Sequence, residues 1–258
     1  MSGDATGHLV SGRRRSAELG VLVVAAVVGL VAGYWWLSGR FSQSAGLRWL
    51  APTGAVLAYV GGFLWRHRAT LPRVDGTRLG ALGLANHVTL FRAGLLAGVA
   101  GFALVDPAAG LRWLPALGYG AVVALDAVDG AVARSVGTET RLGERLDMAT
   151  DTTGFLVAPL VAVAWGLLPA WYLSLSAARY VYRAGCWLHR RRGGAVGDLP
   201  PSRVRRPLAA LQMGFLTVAL APAAPTPLVR LVAPAVLLPS LAVFARDLVA
   251  VTRPQSEE

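Results

Sequence analysis

Eight apolar runs, separated by short polar stretches in which arginines cluster, set the pattern of this chain. A hydrocarbon core about 30 Å thick takes ~20 helical residues. Runs near that length fall at Val21 to Leu37, Leu47 to Trp65, Val88 to Val105, Leu114 to Val128, Leu146 to Leu167, Ala170 to Trp187, Leu208 to Leu220 and Leu228 to Val249. Glycine and proline inside them are compatible with membrane helices, where both are more frequent than in soluble ones. The pattern predicts an all-α integral membrane protein.

Two interruptions matter. Between Arg66 and Ala85 the apolar run is lost, and Arg73, Asp75, Gly76 and Arg78 read either as a short interfacial amphipathic stretch or as a plain linker. From Ser135 to Thr140 a glycine and two threonines predict a turn back at the membrane surface. The first run follows Arg13 to Arg15 but carries Tyr34, Trp35 and Trp36, and a second run begins within ten residues. It reads as a retained anchor rather than a cleaved signal.

Composition agrees with a bilayer: 55% of residues are hydrophobic and 15% charged, and mean hydropathy is +0.52. The net charge of +11 raises the question of nucleic acid, but all 25 basic residues are arginines placed between apolar runs. That arrangement reads as topology, with no nucleic-acid partner. With both termini cytoplasmic, only Arg40, Arg48, Arg112 and Arg230 fall outside, against 21 arginines inside. Cys186 is the single cysteine, so no intrachain disulfide forms, and Cys186 with His189 is too few ligands for a metal site.

The chemistry concentrates between Asp126 and Asp151. On a helix, residues three or four apart share a face, so Asp126 pairs with Asp129 and Asp147 with Asp151. An ionised side chain at membrane depth costs roughly 2.5 to 3.5 kcal/mol, so four unpaired carboxylates would cost on the order of 10 kcal/mol. Two divalent cations would balance them, and oxygen ligands on rigid helices suit Mg²⁺ or Mn²⁺. Two such ions favour phosphoryl-group transfer. Gly130, Ala133 and Gly143 keep helix faces free of bulk, and Arg134 can grip a phosphate.

Asp126-x-x-Asp129-Gly130-x-x-Ala133-Arg134, eight residues, then Gly143-x-x-x-Asp147-x-x-x-Asp151 resembles the signature of the CDP-alcohol phosphatidyltransferase family at every fixed position. The resemblance covers about Ala81 to Val249. It implies a six-helix bundle preceded by two extra transmembrane helices, that is, an accessory hairpin at 1–70 and a catalytic domain at 71–258. It also implies a reaction in which an acceptor alcohol attacks the β-phosphorus of a CDP-linked lipid and releases CMP. By the same resemblance, Asp126, Asp129 and Asp147 are metal ligands, and Asp151 is both a metal-side residue and the candidate general base. Gly130, Ala133, Arg134 and Gly143 border the CDP group. Asn86-x-x-Thr89-x-x-Arg92 looks like the nucleotide-binding residues at the start of the family's first core helix.

Arg179, Arg183, Arg206 and Arg246 are candidates for a phosphate on the acceptor, such as glycerol 3-phosphate or an inositol phosphate, though snorkelling anchors explain each equally simply. The arginine distribution puts the aspartate cluster at the cytoplasmic face of the cell membrane, and the resemblance implies a homodimer. Two other readings are weighed. An intramembrane prenyltransferase needs a second, distant aspartate motif, and a transporter or scaffold needs carboxylates near mid-bilayer. The sequence offers neither.

Overall fold

The computed structural model describes the backbone of residues 3–67, 84–108, 110–136, 141–197, 199 and 201–252, and their side chains except at 3–16, 84–85, 129–136 and 141. Among the described residues the chain forms eight α-helices and no strand: α1 (Gly3–Arg40), α2 (Gln43–His67), α3 (Leu84–Gly101), α4 (Leu114–Val136), α5 (Arg141–Ala164), α6 (Ser174–Arg191), α7 (Arg205–Leu220) and α8 (Thr226–Thr252). Short 3-10 turns follow α3 at Phe102–Leu104 and precede α6 at Ala170–Leu173. Each expected apolar run falls mainly on one of these helices, those at Val88 to Val105 and Ala170 to Trp187 taking in the adjoining 3-10 turns and that at Leu146 to Leu167 running three residues past α5. Most of the stretch from Arg66 to Ala85, including Arg73, Asp75 and Gly76, and most of the turn from Ser135 to Thr140 lie outside the described residues.

Among the described residues, five segments are long and apolar enough to cross a membrane: Ala17–Arg40, Gln43–His67, Asn86–Leu104, Leu142–Ala164 and Thr226–Thr252. On α4, Leu114–Val128 is a shorter apolar segment among the residues whose side chains are described. Arg179 and Arg183 interrupt α6, and the 16 residues of α7 reach ~24 Å, less than the hydrocarbon thickness.

Helix ends follow local chemistry. Ser42 Oγ accepts a hydrogen bond from the Ala45 amide at 3.1 Å, capping α2 immediately after α1 ends on Arg40. Gly166 (φ 67°) terminates α5: its own amide donates to Val163 and that of Leu167 to Ala162, as the C-terminal glycine motif requires. Gly193 (φ 82°) ends α6 in the same way.

The helices group into two compact units, Met1–Ala108 with Leu117–Gly154, and Ala109–Ala116 with Phe155–Glu258. In the first, α2 packs between α1 and α3. The inward stripe of α2 is Gly46, Trp49, Thr53 and Leu64, all buried. Where α4 approaches α3, Gly118 faces Val99 so closely that a Cβ there would collide with it.

In the second unit, polar bonds hold the helices. Lipid is as apolar as leucine, so helix association in a bilayer relies on packing and interhelical hydrogen bonds. Pro159 lacks the amide that would bond the Phe155 carbonyl one turn back. Ser176 on α6 donates to that carbonyl at 2.7 Å instead. Gln212 of α7, 1% exposed, accepts from the Tyr172 hydroxyl and donates to Ser240 Oγ and the Val236 carbonyl, both at 2.9 Å. Gly185 of α6 admits Leu248 of α8 against its backbone.

Replacing Ser176 with alanine leaves the Phe155 carbonyl bare and is expected to cost about 1 kcal/mol, lowering Tm by ~2–4 °C. Introducing Pro159→Ala as well restores a backbone donor. The loss on Ser176→Ala should then shrink in thermal unfolding, and an equal loss in both backgrounds would rule out the proline-freed carbonyl as its cause.

Candidate active site

Within the first unit, α3, α4 and α5 bring one arginine and three aspartates together. Arg92 Nη2 lies 2.6 Å from Asp126 Oδ1 and 3.0 Å from Asp151 Oδ1, and its Nη1 lies 2.7 Å from Asp147 Oδ1. The Arg92 side chain is 1% exposed, whereas those of Asp126, Asp147 and Asp151 are 34%, 44% and 32% exposed. The guanidinium therefore forms the floor of the cluster, and the carboxylates open on its far side.

Sequence explains why these groups can meet. Asp147 and Asp151 are one turn apart on α5 and share a face. In the polar run around them Thr150, Thr152 and Thr153 satisfy their hydroxyls within the helix, on the carbonyls of Leu146, Met148 and Ala149 at 2.9, 2.6 and 2.8 Å. On α3, Asn86, Thr89 and Arg92 recur every three residues and are all buried, with Ala93, Leu96 and Ala97 beside them. The long arginine stem thus runs through apolar packing to deliver a charge at its tip.

One carboxylate oxygen from each of Asp126, Asp147 and Asp151 lies within 4.8 Å of the other two. Three carboxylates converge on this one guanidinium. Hard oxygen donors on rigid helices, partly open on one side, fit a Mg²⁺- or Mn²⁺-type cation.

The chain belongs to the CDP-alcohol phosphatidyltransferase family. The family model of that description matches residues 82–245, which contain the whole constellation and more than half of the chain. Membership implies transfer of a phosphatidyl group from a CDP-alcohol to an acceptor alcohol, and the family is typically dependent on divalent metal. No match is found among curated proteins or solved structures.

Of the residues expected to serve CDP-alcohol transfer, the structure unites Asp126, Asp147 and Asp151. It adds Arg92, expected at the nucleotide, as their shared counter-ion. Asn86 and Thr89 lie buried on the same face of α3, and Gly143 is half-buried at the start of α5. Asp129, Gly130, Ala133 and Arg134 lie on α4 with side chains outside the described residues.

The four arginines expected at the acceptor belong to the second unit. Arg179 is half-buried on α6, while Arg183 and Arg206 are exposed. Arg246 is committed elsewhere: its Nε and Nη2 donate to Asp247 Oδ1 at 3.1 and 2.8 Å, and Nη2 also reaches Ser202 Oγ at 3.3 Å. Arg205, not Arg206, completes this arrangement, with Nε 2.7 Å from Asp247 Oδ2. Sequence reading passed over both Arg205 and Asp247. The signal was an acidic residue inside an apolar helix, which is rare and usually paired.

Arg92→Met should destabilise the metal-free protein by on the order of 2 kcal/mol, less than a fully buried pair because the carboxylates are partly solvated. Thermal unfolding in chelator reads the loss. Added Mn²⁺ should recover part of it by neutralising the same carboxylates, and an undiminished Tm in chelator would show that the arginine does not hold the cluster.

Proposed function

We propose that this chain transfers the phosphatidyl-type group of a CDP-linked lipid to the hydroxyl of an alcohol, forming a phosphodiester and releasing CMP, in phospholipid biosynthesis. The observation that carries this reading is the convergence of Asp126, Asp147 and Asp151 within the family-matched region. Asp126, Asp129, Asp147 and Asp151 would hold two Mg²⁺ or Mn²⁺ ions, which when bound polarise the diphosphate and neutralise its charge. Arg92 holds three of these carboxylates in register from beneath. Asp151 accepts the proton of the attacking hydroxyl, and its place on the open side of the cluster supports that role. Gly130, Ala133, Arg134 and Gly143, with Asn86 and Thr89, border the cytidine diphosphate.

The acceptor we favour is a phosphorylated polyol such as glycerol 3-phosphate or an inositol phosphate. Support comes from cationic Arg179, Arg183 and Arg206, with Arg246 contributing only the donors that Asp247 and Ser202 leave it. The arginine distribution supports a cytoplasmic active site with both termini on that side. A homodimer is the expected assembly by family analogy alone.

Purified protein given Mn²⁺ or Mg²⁺, a CDP-linked lipid and a panel of alcohols should release CMP, and silence with every alcohol would defeat the reading. Asp147→Asn is expected to abolish turnover and weaken Mn²⁺ binding together. Asp151→Asn should lower kcat by about 10²–10⁴-fold while largely sparing CMP binding. Equal loss of binding and turnover in Asp151→Asn would remove its role as base.

A further inference from the structure

The hairpin α1–α2 precedes the family-matched residues, so membership in the family assigns it nothing. Its packing is nevertheless directed at the helices that carry the site. Leu142, 1% exposed at the start of α5, is surrounded by Leu19 and Leu22 of α1 and Leu90 of α3. Leu90 is two residues from Arg92, and Leu142 is five from Asp147. The N-terminal part of α1 therefore packs on α5 at the same residue that Leu90 of α3 meets, close to where α3 and α5 form their ion pairs.

A second anchor engages α3 farther along. The Trp49 ring of α2 fills a slot between Gly33 of α1 and Gly101 of α3, where a Cβ on either glycine would collide with it. Its indole Nε1 donates to the Gly98 carbonyl at 2.9 Å. Thr53, one turn on, also lies against Gly101. Gly98 is eight residues from Leu90, or ~12 Å along the helix. The hairpin thus holds α5 through Leu142 and α3 through Gly98 and Gly101, so it bears on both helices whose side chains meet at the cluster. In a bilayer such packing and hydrogen bonding largely set helix separation.

We infer that the α1–α2 hairpin is a built-in brace of the active site, and that Leu19, Leu22 and Trp49 are positioning residues that hold Arg92 and Asp147 at their working separation. The inference rests on reading the aspartate cluster as the metal site. Mn²⁺ affinity of the detergent-purified full chain, measured without lipid substrate and well below Tm, is the readout. Leu19→Ala/Leu22→Ala and Trp49→Ala are each expected to weaken Mn²⁺ binding about tenfold, the low end for groups that support metal ligands from outside. Leu19→Met/Leu22→Met should recover affinity to within about twofold, because volume-conserving swaps preserve packing. Trp49→Phe, which keeps a ring but loses the bond to Gly98, should fall between. Folded alanine variants with wild-type Mn²⁺ affinity would overturn the brace, and if they fail to fold, Leu22→Ala and Trp49→Phe are read by the same criterion. Asp147→Asn separates the two ideas: if it leaves Mn²⁺ affinity intact, the metal-site reading fails, whatever the brace variants do.

Discussion

A single buried guanidinium shared by three carboxylates is the constraint around which the first unit is arranged. Arg92 keeps its charge while 1% exposed and finds its partners in Asp126, Asp147 and Asp151, so α3, α4 and α5 converge at one point. The carboxylates outnumber the guanidinium that joins them, and their partly open side is where a cation would be attracted. An arginine suits this role better than a lysine, since its planar fork reaches separate carboxylates from fixed positions.

Elsewhere the bilayer dictates a different economy. Packing between helices gains little from apolar burial, and the described contacts accordingly run through small residues and satisfied polar groups. Ser176 takes up a carbonyl freed by Pro159, and Gln212 spends its amide on Tyr172, Ser240 and Val236. Asp247 binds Arg205 and Arg246 at once, tying the start of α7 to the end of α8. Each device removes a polar group that lipid would leave unsatisfied, and each also joins two helices.

Much of this was legible in the sequence because helical geometry turns spacing into position. The four-residue interval of Asp147 and Asp151 puts them on one face, and the apolar runs mark each helix. Partner choice was less legible. Arg92 lies 34 residues before Asp126 and 59 before Asp151, and no periodicity links separate helices. The family resemblance gave it, with Asn86 and Thr89, a place at the nucleotide, and nothing in the sequence pointed to the carboxylates its tip meets. The packing face of α1 was hidden for the opposite reason. A helix apolar all round has no contrast to read, so only the structure distinguishes Leu19, Leu22 and Gly33 from their lipid-facing neighbours.

The same distinction bears on which arginines remain to meet a substrate. Positive charge near a membrane surface is abundant in this chain, so its presence alone discriminates nothing. Hydrogen-bond capacity does discriminate. Arg246 has spent its Nε and Nη2 on Asp247 and Ser202, and Arg205 has turned its Nε to the same carboxylate, so neither presents an unencumbered fork to a phosphate. Asp247 thus subtracts two cations from the apparent basic surface and gives them a structural task. Any phosphate recognition in the second unit then falls to residues such as Arg179, Arg183 and Arg206, whose charges Asp247 does not consume.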